Sequence, residues 1–209
     1  LGMELDAKSF RLVLKEYCKT DQPDKAIALL REMKWKGINP NISCYNETLR
    51  SLVRFKELGR AVVFLKEMDG LRCSPNSLSY SIVICGLCDA KGWMNEAREV
   101  VDDMLRKGYI MTTDMYGSLV RGYCEDGDEE MAMEVFCEMI DNGYAIDLQS
   151  FEILVRKLCG KGTVLEVENF VNKLYSMKCD GARMDSYRKV LNENLSKTRF
   201  WMHGFDEKG

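Results

Sequence analysis

The sequence predicts an all-α solenoid of helix–turn–helix units. Three recurrences in one register carry that expectation. An aromatic residue returns at Phe10, Tyr45, Tyr80, Tyr116, Phe151 and Tyr187, at steps of 35, 35, 36, 35 and 36 residues. A small residue keeps the same beat at Ala26, Ala61, Ala97, Ala132 and Val167, and a long flexible one at Met33, Met68, Met104, Met139 and Leu174. Such a register marks one unit copied about five times, each copy packing mainly on its neighbours. Apolar spacing is helical, and no strand-like alternation persists.

The units are expected at 7–41, 42–76, 77–112, 113–147 and 148–183. Residues 1–6 read as the end of a preceding unit, and 184–209 as a partial unit with a C-terminal cap. In the first full unit, Ser9 to Cys18 has one apolar helical face. Thr20-Asp21-Gln22-Pro23-Asp24 is the turn, with Pro23 suited to the first turn of a second helix. That helix carries Ala26, Ile27, Leu29, Leu30 and Met33 on one face, and Gly37 stops it. Gly108 and Gly143 repeat the stop. Pro40 and Pro75 fall just before the next unit, where a proline does not have to continue a helix. In unit 77–112, one extra residue near Asp89-Ala90-Lys91-Gly92 lengthens the turn. Phe200, Trp201 and Phe205 suit a helix capping the last apolar face, with a partner-binding tail as the alternative. The three series are expected in the core: the small residue lets paired helices approach, and the aromatic packs between adjacent units.

Composition excludes several classes. Formal net charge is −3 and hydrophobic content 46%, ordinary for a folded chain. No apolar run approaches the roughly 20 residues of a membrane span. The first residues resemble a unit's tail rather than a signal peptide, since Glu4, Asp6 and Glu16 interrupt them. The chain therefore reads as a fragment with its targeting segment outside it. Cys18, Cys88, Cys124 and Cys159 occupy one repeat position and read as small buried hydrophobes. Cys85 and Cys88 form a lone CxxC, too little for a zinc site without a second pair or a nearby His. The only histidine is His203, and no Gly-rich phosphate loop is present. No catalytic residue, metal or cofactor is expected.

Charge is uneven. Residues 1–76 carry 14 basic and 10 acidic residues; 77–147 carry 5 and 15; 148–209 carry 11 and 8. The run Glu125-Asp126-Gly127-Asp128-Glu129-Glu130 reads as an inter-helix turn and helix N-terminus, where the dipole favours carboxylates. A docking face for a basic protein is the sharper alternative.

The unit is one residue longer than the tetratricopeptide hairpin. Cys44-Tyr45-Asn46-Glu47-Thr48-Leu49, Ser74-Pro75-Asn76, Ile84-Cys85-Gly86-Leu87-Cys88 with Ala97, and Met139-Ile140-Asp141-Asn142-Gly143 give it a specific motif. That motif resembles the plant pentatricopeptide repeat proteins of the pure 35-residue class, over roughly residues 2 to 195. The resemblance implies a right-handed superhelix that binds single-stranded RNA by sequence in mitochondria or, second, chloroplasts. One base is read per repeat.

The resemblance also implies roles, residue by residue. The fifth and last residues of a unit meet the base edge. Asn46 and Asn76 match the pair favouring cytidine, with uridine second; Ser81 matches the small hydroxyl associated with purines. Asn41 and Asp147 match at the closing place, while Arg11, Gly117, Thr112 and Glu152 depart from the pattern. Ser43 and Leu78 hold the base-packing place. Lys19 and Arg54 hold the phosphate place, which then passes to Asp89, Glu125 and Gly160. The expected function is sequence-specific binding of single-stranded RNA in organellar RNA processing, stabilisation, editing or translation, with no DNA and no membrane partner. The alternative is a protein-interaction scaffold, docking a partner at the acidic segment 77–147 or the C-terminal units.

Overall fold

A computed structural model describes residues 6–70, 73–161, 164–176 and 181–195. Among them are eleven α-helices and no strand. The expected segments 1–5 and 196–209, with the proposed cap residues and His203, lie outside the described residues.

The chain forms two compact bodies. One spans residues 1–87 with 95–110, and the other 88–94 with 111–209. The first holds α1 (Ala7–Lys19), α2 (Pro23–Trp35), α3 (Ile42–Arg54) and α4 (Leu58–Glu67), with most of α5 (Ser77–Cys88) and α6 (Met94–Arg106). The second holds α7 (Thr113–Asp126), α8 (Glu129–Asp141), α9 (Leu148–Lys161), α10 (Val164–Ser176) and α11 (Gly181–Leu195). Helices α1, α3, α5, α7 and α9 start at 7, 42, 77, 113 and 148, where the sequence period starts its units. The last departs: α11 starts at 181, three residues before the expected 184.

The repeating series form the core. All six aromatics, Ala26, Ala61, Ala97 and Ala132, and the Met33, Met68, Met104, Met139 and Leu174 series are buried. The side chain of Val167 is outside the described residues. Ring contacts of the series run within units and, for Phe151 and Tyr187, between them. Tyr45 stacks on Phe64, Tyr80 packs on Tyr109 and Tyr116 on Tyr144, each within its own unit. Phe151 alone of the series meets the next member, Tyr187, at 4.5 Å between ring centroids. Placed three residues into the first helix, the ring lies over its own hairpin's second helix or closing loop. Cys18, Cys88 and Cys124 are buried as expected, whereas Cys159 is only half-buried. Burial pushes the Cys124 thiol up to about 12, which keeps it protonated and inert.

Helix stops follow one pattern. Gly37, Gly108 and Gly143 take positive φ of 75°, 81° and 79°. The next residue's N–H then donates five residues back, as Ile38 does to the Met33 carbonyl at 2.9 Å, closing a Schellman motif. A second left-handed position lies in the turn inside each of the first four hairpins. It holds Asp21, Lys56, Gly92 and Gly127, at φ of 54°, 62°, 81° and 81°. The first two are non-glycine residues in a conformation that crowds Cβ. Close helix contact also needs glycine: a Cβ on Gly86 would collide with the Val53 side chain. Ion pairs Asp24–Arg60 and Lys107–Asp69 (2.9 Å) join successive second helices in the first body, and Lys173–Asp141 does so in the second.

Candidate nucleic-acid interface

Each closing residue caps the helix that follows. Asp6, Asn41, Asn76, Thr112 and Asp147 accept from the backbone N–H three residues on, at 2.7, 3.2, 2.9, 3.4 and 2.9 Å. Asn, Asp and Thr are strong N-caps because the short side-chain oxygen reaches an orphan helix donor. Thr112, which departs from the family pattern, therefore keeps the structural half of the position.

In the first body, Asn76 does more than cap. Asn46, in the second turn of α3, is buried at 3% exposure. Its Nδ2 faces Asn76 Oδ1 at 3.5 Å, and the Ser79 hydroxyl lies 2.7 Å from Asn46 Oδ1 and 2.9 Å from Asn76 Oδ1. The Asn76 backbone N–H donates to the same hydroxyl at 3.1 Å. Both side-chain oxygens are thus occupied. The Asn76 Nδ2 has no hydrogen-bond partner among the described residues, and Asn76 is half-buried. The cluster leaves one amide donor, Asn76 Nδ2, available to a ligand.

Other expected residues in this body are more separate. Ser81 is half-buried, with its Oγ 3.9 Å from Cys85 Sγ one turn on. Ser43 and Leu78 are exposed at the starts of α3 and α5, as a base-packing role requires. Asn41 is exposed, and the hydrogen bond found for its side chain is the cap to Cys44. Lys19 and Arg54 end α1 and α3, both exposed; Lys19 lies 3.6 Å from Glu16, and Arg54 has no ion pair among the described residues.

In the second body, Asp147 sits in a comparable cluster of different composition. Its Oδ1 accepts from Ser150 N–H at 2.9 Å, and its Oδ2 from the Ser150 hydroxyl at 2.5 Å. The Arg121 guanidinium lies 3.6 Å from Oδ2 and donates to Ser150 Oγ at 2.5 Å and to Ser118 Oγ at 2.9 Å. Burial raises the Asp147 pKa, but the Ser150 hydrogen bonds and Arg121 charge outweigh it and hold the carboxyl below its ordinary value. Asp147 also borders an open cleft of about 860 Å³ with Thr113, Leu148, Arg183 and Ser186.

Sequence reasoning missed Ser79, Ser150 and Arg121. The signal for the serines was available: a cap residue followed three positions on by Ser, as in Asn76-x-x-Ser79 and Asp147-x-x-Ser150. Among the described residues, no helix is long and apolar enough to cross a membrane, and no three His, Cys, Asp or Glu side chains group to hold a metal.

The repeat can be assigned by comparison with known proteins. The PPR repeat family model matches residues 6–54, 40–89 and 111–160, and the PPR repeat model matches 78–109. The chain belongs to the pentatricopeptide repeat (PPR) family. It is 28% identical over 154 residues to the small ribosomal subunit protein mL103 (rPPR7) of Arabidopsis thaliana, covering 74% of this chain and 37% of that protein. It is 30% identical over 146 residues to a chloroplastic PPR-containing protein of the same plant, covering 69% of this chain and 19% of the relative. The chain therefore spans well under half the length of these relatives. PPR10, a maize protein, in complex with an 18-nt psaJ RNA element superposes with a TM-score of 0.70 at 22% identity, covering 93% of this chain and 28% of that one. The PPR domain of A. thaliana PRORP1 in complex with tRNA gives 0.63 at 18% identity, covering 87% and 96%. These structures establish the PPR solenoid of helical hairpins as the fold.

Proposed function

We propose that this chain is an RNA-binding repeat array that takes single-stranded RNA by sequence in organellar RNA metabolism. The observation that carries the reading is the Asn46–Ser79–Asn76 cluster. It fixes two amides side by side at the junction of consecutive repeats and leaves the Asn76 Nδ2 donor without a partner among the described residues. Donors so placed suit a base edge rich in acceptors, such as N3 and O2 of cytosine. Exposed Ser43 and Leu78 stand ready to pack on bases, and Lys19 and Arg54 to meet phosphate. PPR10 is itself described in complex with RNA. The proposed compartment is the mitochondrion, with the chloroplast second; relatives named for each are found. The mechanism is occupancy of an RNA segment. Catalysis is not proposed: the likeness to PRORP1, a protein-only RNase P, runs through that protein's PPR domain.

Selection from a randomised RNA pool at two salt concentrations tests this. A motif with a preferred pyrimidine, weakened by Asn46→Ala, is the expected result. Absence of any enrichment at low salt sinks the reading for this chain.

A protein scaffold is the second reading, favoured by the acidic segment. Glu125, Asp126, Asp128 and Glu130 are all exposed, in a stretch of 5 basic and 15 acidic residues. Two relatives carry the names of small ribosomal subunit proteins. A pull-down from ribonuclease-treated organelle extract distinguishes this reading: a stoichiometric basic protein supports it, and loss of every partner removes it.

A further inference from the structure

The residue three places after a closing residue differs along the chain, and the closing residue's contacts differ with it. Ser79 and Ser150 hold that place in α5 and α9, and both are fully buried. Each hydroxyl bridges two side chains of the preceding repeat. Ser79 Oγ lies 2.7 Å from Asn46 Oδ1 and 2.9 Å from Asn76 Oδ1. Ser150 Oγ donates to Asp147 Oδ2 at 2.5 Å and accepts from Arg121 at 2.5 Å. Cys44 and Met115 hold the same place in α3 and α7. There the side chains of Asn41 and Thr112 make, among the described residues, no hydrogen bond but the cap. All four helices start two residues earlier, with or without the serine. The hydroxyl is therefore not what starts the helix.

We propose that Ser79 is a positioning residue for the repeat before it: its hydroxyl holds the Asn46 amide against Asn76, and without it the base preference of unit 42–76 flattens. This rests on the RNA-binding reading above.

The donor and acceptor inventory fixes each amide in turn. Asn76 Oδ1 accepts from the Ser79 backbone N–H at 2.9 Å. A backbone N–H only donates, so the Asn76 oxygen must face it and Nδ2 must face away. The Ser79 hydroxyl has one proton to give. Asn76 Oδ1 already has the backbone donor, whereas this hydroxyl is the only donor found for Asn46 Oδ1 among the described residues. The proton therefore goes to Asn46 Oδ1, which is also the nearer oxygen, while the hydroxyl accepts from the Asn76 backbone N–H at 3.1 Å. With its oxygen held, Asn46 points Nδ2 at Asn76 Oδ1 across 3.5 Å, too long a contact to hold the amide alone. Without the hydroxyl, Asn46 keeps a buried carbonyl that lacks a donor, a costly state. Turning the side chain relieves it by offering that oxygen to the RNA. An acceptor then joins the Asn76 Nδ2 donor, and bases separated by the donor alone are taken more equally. Asn76 itself stays in place, because alanine at position 79 supplies the same backbone N–H.

Selection from a randomised single-stranded RNA pool with the whole chain tests this, using Ser79→Ala, Asn46→Ala and the double variant, with melting temperature as the control for folding. Ser79→Cys copies the junction at Cys44 and serves as a second variant with a weak donor. Asn46→Ala marks the motif position that unit 42–76 reads. At that position Ser79→Ala and Ser79→Cys should each cut the preference for the best base over the next by about fivefold or more. Other positions and the salt dependence should stay as they were. In the Asn46→Ala background, Ser79→Ala should change the motif no further. Full preference at the marked position in either folded Ser79 variant overturns the proposal and leaves Ser79 a packing residue. Weakening of every position alike, equally in both Asn46 backgrounds, also overturns it, since a structural role does that. If the wild type selects no motif, or Asn46→Ala marks no position, the underlying RNA reading fails and takes the proposal with it. A marked position that ignores Ser79 sinks the proposal alone.

Discussion

Asn46 and Asn76 stand 30 residues apart and meet Nδ2 to Oδ1 at 3.5 Å, with the Ser79 hydroxyl within 2.9 Å of both side-chain oxygens. Asn76, the closing residue of its repeat, thus caps one helix and steadies the Asn46 amide on another. These jobs separate by mutation. Asn76→Ala removes the cap and should lower stability by about 0.5–2 kcal/mol, along with RNA affinity. Asn76→Asp keeps the cap oxygen, so stability should change by less than about 0.5 kcal/mol. The carboxylate cannot donate, so base preference at that position should shift. Thermal melting and RNA selection on both variants measure the two effects. An unchanged motif in Asn76→Asp would confine Asn76 to capping.

The acidic run divides between two helix ends with opposite electrostatics. Asp128 caps α8 by accepting from Met131 N–H at 3.1 Å, and Glu129 and Glu130 fill its first turn, where carboxylates are favoured. Glu125 and Asp126 instead close α7, whose last turn has no basic residue, and there the dipole disfavours them. Glu125 also occupies the place held by Lys19 and Arg54 in earlier repeats. Glu125→Lys should therefore stabilise the fold by about 0.3–1 kcal/mol. On the RNA reading it should also steepen the salt dependence of binding by roughly 0.7 in log–log slope. Melting and titration at several salt concentrations check the pair. Higher stability with no change in RNA affinity would show that this helix end lies away from the RNA.

The hairpin turns offer a test of backbone strain. Lys56 takes φ of 62°, where the fourth hairpin has Gly127 at 81°. Lys56 is exposed at the left-handed position that closes α3, where Glu57 N–H donates to the Leu52 carbonyl at 2.8 Å, so its Cβ crowds the backbone without compensating burial. Lys56→Gly relieves the crowding but adds freedom to the unfolded chain. The net gain should be about 0.5–1 kcal/mol, read as a raised melting temperature. A loss of stability would mean that the lysine side chain contributes a contact larger than the strain.

The periods told more about the scaffold than about the site. Helix starts at 7, 42, 77, 113 and 148 were legible because a buried aromatic must recur in register for hairpins to stack. The extra turn residue was legible too, and α5 and α6 are joined by five residues, 89–93, against three in the preceding hairpins. The direction of the aromatic contacts was not legible. Tyr45 and Phe64 are on different helices, and a linear register does not say which neighbour a ring will face. The site was half visible. Asn46 and Asn76 were marked by position, but the hydroxyl that joins them comes from Ser79, and a serine in a helix's first turn looks like an ordinary capping neighbour. Arg121 was hidden for another reason. An arginine on a helix face normally reads as solvated charge, and only the folded contacts with Ser118, Ser150 and Asp147 show where its guanidinium goes.

Tyr116 makes the stability of the second body depend on alkaline pH. Its hydroxyl donates to Glu138 Oε1 at 3.0 Å and accepts from Asn142 Nδ2 at 3.0 Å. Burial, followed by the Glu138 hydrogen bond and charge, pushes its pKa up to about 12 from the ordinary 10.0. Unfolded tyrosine loses its proton first as pH rises, so between those values the unfolded state binds fewer protons than the folded one. Stability from this group is therefore complete below pH 10 and declines as pH climbs toward 12. Tyr116→Phe removes the titrating group. At pH 8 it should cost about 1 kcal/mol, since Glu138 and Asn142 lose their partner. The fall in melting temperature between pH 8 and pH 11 should be smaller in the variant than in the wild type. Equal falls in both would assign the alkaline loss to other groups, with Tyr80 and Tyr45, whose pKa values burial also raises, first among them.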